Sequence, residues 1–177
     1  MKILETKRLI LRTMEPSDFS ALCKTLQDAQ AMTAYEHAFS DAEVHQWLDR
    51  QIQRYRDDGF GLWAVLLKEN GEMIGQCGVT MQNCDGKWVK EVGYLFERAC
   101  WHHGYATEAA AACRDYAFKQ LGADEVYSII RDTNIVSQNV AKRNGMTVRG
   151  QFVKHYYNVD MPHLIFSIRR PEWETAR

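Results

Sequence analysis

A strand, a helix rich in small residues and a second strand follow one another in the middle of the chain, and this order constrains the fold most. Residues 88–96 and 125–131 have the apolar pattern of strands. Between them, residues 104–120 place alanine and cysteine on one helical face. Two strands joined by a helix run parallel and are linked by a right-handed crossover. The sequence therefore predicts a parallel strand pair covered by a closely packed helix.

Short turns join the strands of the first half of the chain. Asn70-Gly71 and Asp85-Gly86 are two-residue hairpin signals, so the strands on either side of them run antiparallel. The pattern predicts further strands over 7–13, 61–68, 72–81, 146–154 and 160–169, and helices over 16–29, 41–57 and 134–144. We expect one α/β (α+β) domain over residues 1–177. Its mixed, mostly antiparallel sheet has about seven strands, helices on its flanks and a central parallel pair.

Composition excludes several classes of protein. Of the 177 residues, 46% are apolar and 25% are charged, which is typical of a globular chain and not of a disordered one. No membrane span and no export signal are visible, so we expect a cytoplasmic protein without a membrane partner. The net charge of −1 gives no sign of nucleic-acid binding. The five cysteines lack the spacing of a zinc site, and we expect them to be reduced, with no metal bound.

The loop that opens the helix at 104–120 is suited to an anion. The first backbone N–H groups of a helix have no partner within it, and the helix dipole adds positive charge there. Gly104 and Ala106 leave room beside the backbone, and Thr107 adds a hydroxyl. The segment lacks the glycine spacing of a Walker loop or of a Rossmann fingerprint. It is therefore either a pyrophosphate site of another kind or a simple tight connection.

Residues 101–109 of this loop resemble the acyl-CoA loop of the GNAT superfamily of N-acetyltransferases. They are closest to the branch that acetylates ribosomal-protein N-termini, where W-G-x-G-Y-A-T-E-A is common. Four further segments resemble motifs of that branch in the same order. Residues 6–12 resemble T-x-R-L-x-L-R, and Glu91-Val92-Gly93-Tyr94 resembles E-I-G-Y. Residues 134–146 resemble N-x-x-S followed by K-x-x-G-F, with Met146 in the last position, and residues 167–173 resemble the last strand with its tail. The resemblance covers most of the chain and implies a GNAT fold.

The resemblance also implies a reaction, the direct transfer of an acetyl group from acetyl-CoA, as cosubstrate, to an amine without a metal. The end of the strand at 88–96 would pair with the pantetheine arm, and an N–H near Leu95 would hold the thioester oxygen. The amides of 102–107 would hold the pyrophosphate, although His102 stands where the branch often has glycine. The implied cofactor-binding residues are Tyr94, Leu95, Phe96, His102, His103, Gly104, Tyr105, Ala106, Thr107 and Asn134.

Two residues are candidates for proton transfer. Ser137 lies one turn after Asn134, where its hydroxyl could protonate the leaving sulfur or else bond the helix backbone. Glu91 is a carboxyl in an otherwise apolar strand. Burial would raise its pKa and suit it to take the amine proton through water, unless it is a surface residue or the partner of an arginine. Ala141 stands where many family members have the tyrosine that protonates the thiolate, which keeps a non-catalytic acyl-CoA-binding module as the alternative.

The acceptor is implied to be a primary amine, either a protein N-terminus or a small molecule, and the chain a monomer or a homodimer. Glu36 lies where the family places acceptor-specificity residues, and an acidic residue there suits a cationic amine. The segment 155–157 is either a loop that brings His155 to the acceptor or a solvated loop. Candidates for the acceptor cleft, or for the core, are Trp47, Trp63, Tyr35 and Phe39. Candidates for the phosphates, or for solvated charge, are Arg98, Lys142 and Arg143. His102 and His103 are adjacent and make a poor metal site.

Overall fold

The structure is a computed structural model that describes residues 1–156 and 158–176. Within these ranges the chain forms eight strands and five α-helices. The strands are β1 (Lys2–Glu5), β2 (Leu9–Arg12), β3 (Leu62–Leu67), β4 (Met73–Cys84), β5 (Lys87–Phe96), β6 (Glu125–Arg131), β7 (Thr147–Tyr156) and β8 (Val159–Arg169). The helices are α1 (Phe19–Leu26), α2 (Asp41–Asp57), α3 (Tyr105–Lys119), α4 (Ile135–Arg143) and α5 (Arg170–Thr175).

One mixed sheet contains all the described strands, in the order β1-β2-β3-β4-β5-β6-β8-β7. Neighbouring strands run antiparallel except β5 and β6, which are parallel and are connected through α3. The predicted class is therefore confirmed, including the central parallel pair and the antiparallel hairpins. Of the two predicted two-residue turns, the first is longer, because the N–H of Leu67 donates to the carbonyl of Glu72 at 2.9 Å and residues 68–71 form the loop. At the second of these turns Asp85 and Gly86 take φ of 50° and 86°, as a tight two-residue hairpin requires.

Three elements differ from the prediction. The strand expected at 7–13 begins at Leu9, because the N–H of Thr6 donates to the carbonyl of Leu9 at 2.9 Å and the N–H of Leu9 donates to the hydroxyl oxygen of Thr6 at 3.0 Å. The residues before this turn form a separate strand, β1, which brings the number of described strands to eight. Helix α1 ends at Leu26 instead of at residue 29, and the carboxylate of Asp28 then accepts from the N–H of Gln30 at 2.9 Å. Helix α5 was not predicted. It begins with a proline in its first turn and a capping box between Arg169 and Glu172.

The two faces of the sheet carry separate cores. On one face the small residues of α3, which include Ala109, Ala110, Cys113 and Ala117, are fully buried against β4, β5 and β6. The absence of long side chains at these positions allows the helix to approach the strands closely. On the other face α1 and α2 pack on β3 and β4. Trp63 belongs to the first core, where it meets Tyr116 edge to face at a centroid distance of 5.2 Å, so it does not line an acceptor cleft.

Strands β5 and β6 pair over a short stretch and then diverge. Within the described residues the parallel pairing is made at Glu91 and Tyr127. Just beyond it the hydroxyl of Ser128 donates to the carbonyl of Val92 at 2.8 Å, so a side chain replaces the next backbone bond. The last residues of β5 pair with β4 on one side and carry no strand on the other. The sheet therefore has an internal fork, and within the described residues no strand pairs with β5 along 93–96 on the side away from β4, although the indole N–H of Trp101 donates to the carbonyl of Phe96 at 2.9 Å.

Candidate active site

A cleft of about 1420 Å³ opens at this fork. Two groups of residues line it. The first group, which we call the α3 side, comes from the end of β5, the start of α3 and the first turns of α4, within residues 94–107 and 134–143. The second group, which we call the α2 side, includes Tyr35, Phe39, Glu43, Trp47, Arg50, Arg54, Glu91 and Lys154. The fork thus joins two chemically different surfaces in one cavity.

The start of α3 presents free backbone N–H groups on the α3 side. Gly104 caps the helix with φ 78° and ψ 7°, a left-handed conformation that favours glycine. The N–H of Glu108 makes the first bond into the helix turn, to the carbonyl of Gly104 at 3.0 Å. Those of Tyr105, Ala106 and Thr107 have no acceptor among the described residues. Since Ala106 has no side chain beyond Cβ, this helix start fits the pyrophosphate of an acyl-CoA.

A carboxylate clamp, formed by Thr6, Arg8 and Glu108, fixes this helix start to the turn between β1 and β2. Glu108 Oε1 accepts from the hydroxyl of Thr6 at 2.6 Å and from the N–H of Arg8 at 2.9 Å. Its Oε2 accepts from Arg8 Nε at 2.7 Å. The same guanidinium donates to the carbonyl of His103 at 2.9 Å and lies 4.5 Å from the ring centroid of Tyr105. The clamp therefore holds both the helix and the loop before it.

Two residues of α4 contact or face the end of β5. The hydroxyl of Tyr94 donates to the backbone carbonyl of Ser137 at 2.8 Å, and burial raises the pKa of this phenol, which stays protonated. Asn134 caps α4, its Oδ1 accepting from the N–H of Ser137 at 3.2 Å, which leaves its amide NH₂ as a donor towards the cleft. The hydroxyl of Ser137 makes no hydrogen bond within the described residues, so it does not bond the helix backbone. Ala141 is 1% exposed and packs in the core.

Glu91 lies on the α2 side, next to the point where β5 and β6 part. Burial raises the pKa of its carboxyl to about 7, although the charges of Lys154 and Arg54 act in the opposite direction. It forms no salt bridge within the described residues, so it is not the structural partner of an arginine. A carboxyl with this pKa exchanges a proton readily near neutral pH, which is the property that a general base needs.

The other predicted candidates divide between the cleft and the surface. Leu95 and Phe96 line the cleft, as do His102 and Arg143. The imidazole of His103 is outside the lining and stacks on Tyr105. Three further candidates lie elsewhere: Arg98 pairs with Asp28, Lys142 is exposed, and His155 pairs with Asp160 at 2.6 Å. Tyr157 lies outside the described residues.

The aromatic residues Tyr35, Phe39 and Trp47 form one cluster on the α2 side. Tyr35 and Phe39 each meet the Trp47 ring edge to face, at centroid distances of 5.6 and 5.8 Å. The indole N–H of Trp47 donates to Gln76 Oε1 at 2.8 Å. All three residues line the cleft and also belong to the hydrophobic cluster beneath α2. Glu36, in contrast, is bound by Arg131 at 2.6 Å and does not line the cleft, so the expectation that its carboxylate meets a cationic amine was wrong.

Sequence reasoning missed the basic residues of the α2 side, Arg50, Arg54 and Lys154. Glu43, Trp47, Arg50 and Arg54 recur at helical spacing on α2 and all line the cleft. That spacing was visible in the sequence, but it is equally typical of a solvated helix face. Lys154 lies far along the chain and reaches the cleft only through the β7–β8 hairpin.

Among residues 1–156 and 158–176 no group of three or more histidine, cysteine or acidic side chains is placed to hold a metal ion. None of the helices in these ranges is long and apolar enough to span a membrane.

Comparison with known proteins gives relatives over most of the chain. An uncharacterized protein of Bacillus subtilis (strain 168), YkkB, is 35% identical over 144 residues, which covers 81% of this chain and 84% of the relative. The crystal structure of an acetyltransferase from Agrobacterium tumefaciens superposes with a TM-score of 0.80 at 27% identity, covering 96% of this chain and 95% of that one. RimL, a ribosomal L7/L12 α-N-protein acetyltransferase solved with coenzyme A, shares the fold, with a TM-score of 0.77, 16% identity and coverage of 96% and 98%.

These similarities agree with the site. The fold shared with RimL agrees with the GNAT architecture that the sequence motifs imply. The family model described as an acetyltransferase (GNAT) domain matches residues 8–147, which include the fork, the start of α3 and α4. The chain therefore belongs to the GNAT acetyltransferase family and is an acyltransferase.

Proposed function

We propose that the protein transfers an acetyl group directly from acetyl-CoA to a primary amine, with both substrates bound together in the cleft at the fork. The observation that carries the proposal is that the unpaired edge of β5 and the free N–H groups of α3 meet in one cavity. An extended pantetheine chain needs backbone partners of the first kind, and a pyrophosphate needs those of the second. Acetyl-CoA supplies the activated acetyl group, and every other role falls to the chain itself.

On the α3 side, residues 93–96 bind the extended arm, and an N–H near Leu95 donates to the thioester oxygen, where negative charge develops. The N–H groups of Tyr105, Ala106 and Thr107 and the hydroxyl of Thr107 bind the pyrophosphate, with Gly104 and the loop at 102–103 beside it. Asn134 donates its amide NH₂ to the arm. This assignment follows from the free donors that these residues present to the cleft.

Glu91 and Ser137 carry the proton transfers. Glu91 takes a proton from the amine through a water molecule, because its raised pKa of about 7 makes it a base at neutral pH. Ser137 protonates the departing sulfur, since its hydroxyl is free within the described residues and lines the cleft. The two groups belong to opposite sides of the cleft, so each can act on a different substrate.

The buried Ala141 favours a second candidate, a module that binds acyl-CoA without turnover. Ala141 has no group that can move a proton and is 1% exposed. Titration calorimetry with acetyl-CoA, together with an acceptor screen that follows free thiol, separates the two functions. We expect micromolar or tighter binding, loss of binding in Gly104→Glu, and thiol release with an amine. Binding without turnover for any amine would support the second candidate, and the absence of binding would refute both.

A further inference from the structure

The lining of the α2 side is basic. Trp47, Arg50 and Arg54 follow one another at helical spacing on α2 and all face the cleft. Arg54 is only partly exposed, and its guanidinium donates to Gln51 Oε1 at 3.1 Å. The same oxygen accepts from the N–H of Leu62 at 3.3 Å, which ties the side chain of Arg54 to the start of β3. The guanidinium of Arg54 is therefore fixed at the cleft wall by its hydrogen bond to Gln51 and is not a freely solvated charge.

None of the three cations on this side has a carboxylate partner within the described part of the chain. Arg50, Arg54 and Lys154 are absent from every salt bridge found there. Arg50 and Arg54 stand on successive turns of α2, where like charges repel. Burial and the charge of Arg50 both lower the pKa of Arg54, while Asp58 and Glu91 act on it from a distance in the other direction. An anion bound between these groups would relieve an unfavourable arrangement.

Asp49 and Asp57 lie beside Arg50 and Arg54 in a separate surface pocket, outside the cleft, where Asp57 accepts from Gln53 at 2.8 Å. The carboxylates closer to the cleft are largely engaged. Glu43 accepts from the N–H of Ser40 and bonds His37, each at 2.8 Å. Glu36 is neutralised by Arg131. Glu91 remains, and with a pKa of about 7 it carries only part of a charge at neutral pH. The α2 side therefore presents an excess of positive charge next to the carboxyl that we assign as the base.

We propose that the amine acetylated by this protein carries a carboxylate near its amino group, and that Arg54 and Arg50 bind this carboxylate while the amine faces Glu91. The inference rests on the proposed function and names its substrate class. A guanidinium binds a carboxylate through two parallel N–H bonds, a geometry that a polyamine or a neutral amine does not use. Lys154 adds a third positive charge on β7. The two sources of such a group are a free amino acid and a peptide with an acidic residue at its N-terminal end.

Steady-state rates of thiol release with matched acceptors test the inference. One pair is alanine and alaninamide, and the other is a peptide amide that begins serine-aspartate and its serine-asparagine counterpart. Spermidine serves as the cationic comparison. We expect kcat/KM to be at least about tenfold higher for the anionic member of one pair, the loss expected when a charge-assisted hydrogen bond is removed. Preference within the first pair identifies the amino acid, and preference within the second identifies the peptide.

Variants of α2 assign the preference to its residue. In Arg54→Gln the preference for the anionic acceptor should fall to about twofold or less. Arg54→Lys should keep part of it, because lysine retains the positive charge without the two parallel N–H donors of the guanidinium. Arg56→Gln removes an exposed arginine of the same helix that is absent from the cleft, so it should keep the full preference. Acetyl-CoA affinity measured in parallel shows that Arg54→Gln is folded, and the expected result is an unchanged value.

The outcomes separate this inference from the function on which it rests. Turnover that favours spermidine or the neutral members would overturn the inference and leave the acetyltransferase intact. A preference that persists in Arg54→Gln would also overturn it. Binding of acetyl-CoA without turnover of any amine would instead refute the proposed function, and the inference would fail with it.

Discussion

Replacing Arg8 with alanine tests whether the carboxylate clamp prepares the helix start for an anion. Arg8 neutralises Glu108, which otherwise places a negative charge in the turn where the pyrophosphate is proposed to bind. Glu108 lies four positions after Gly104, which is about 6 Å along a helix axis. At an effective dielectric constant of about 20, a unit charge about 8 Å from one phosphate charge costs about 2 kcal/mol. This energy corresponds to an affinity about 30-fold weaker, reduced to about tenfold by screening in physiological salt.

Titration calorimetry of acetyl-CoA at low and at physiological salt measures the effect. We expect Arg8→Ala to bind about 10- to 30-fold more weakly, with the larger loss at low salt. The double variant Arg8→Ala/Glu108→Gln removes both charges and should recover most of the lost affinity. Lys7→Ala is the matched control, because it removes the same charge from the neighbouring exposed residue. The reasoning is refuted if Arg8→Ala binds within about twofold of the unaltered protein, or if the double variant binds no better than the single one.

Four further predictions concern catalysis and stability. With a pKa of about 7 for Glu91, kcat/KM should rise with pH through that value, and the Glu91→Gln profile should lack this limb. Because the pKa of Glu91 is raised from 4.5 to about 7 in the folded state, its ionisation opposes folding as pH rises from 4.5 through 7, so Glu91→Gln should melt at a higher temperature than the unaltered protein at pH 8 and at about the same temperature at pH 4. Ser137→Ala should lower kcat by about 10²-fold with little change in acetyl-CoA affinity, the range for loss of a general acid; equal kcat removes Ser137 from the mechanism. Trp173→Ala removes a ring stacked on Phe118 at a centroid distance of 4.6 Å and should lower the free energy of unfolding by about 3–5 kcal/mol in urea titrations; a loss below about 1 kcal/mol would show that α5 is peripheral to the core.

Most of the fold follows from local patterns, and the exceptions have local causes. Alternating strands, hairpin turns and the small residues on one face of α3 each specify their own conformation, so their order predicts the sheet. The split of the first strand depends on bonds between Thr6 and Leu9 that a run of alternating residues conceals. At the fork the hydroxyl of Ser128 bonds across the strands to the carbonyl of Val92, and hydrophobic periodicity does not predict such a bond.

The candidate site divides in the same way. The anion-ready start of α3 was predictable because glycine, small residues and a helix lie together in sequence. The clamp was not, since Thr6 and Glu108 are 102 positions apart and meet only in the folded chain. The basic lining was missed for a similar reason. The spacing of Arg50 and Arg54 is typical of a solvated helix face, and only the folded structure shows that this face lines the cleft.

The fork also divides the sheet mechanically. Strands β1 to β5 form one block, strands β6, β8 and β7 form another, and within the described residues the backbone seam between them is the short pairing at Glu91 and Tyr127. A ligand arm lying along 93–96 would act as an added strand that fastens one block to the other. The melting temperature should therefore rise with acetyl-CoA concentration. Amide exchange should slow most along the seam, so that the substrate serves as a structural element of the fold while it is bound.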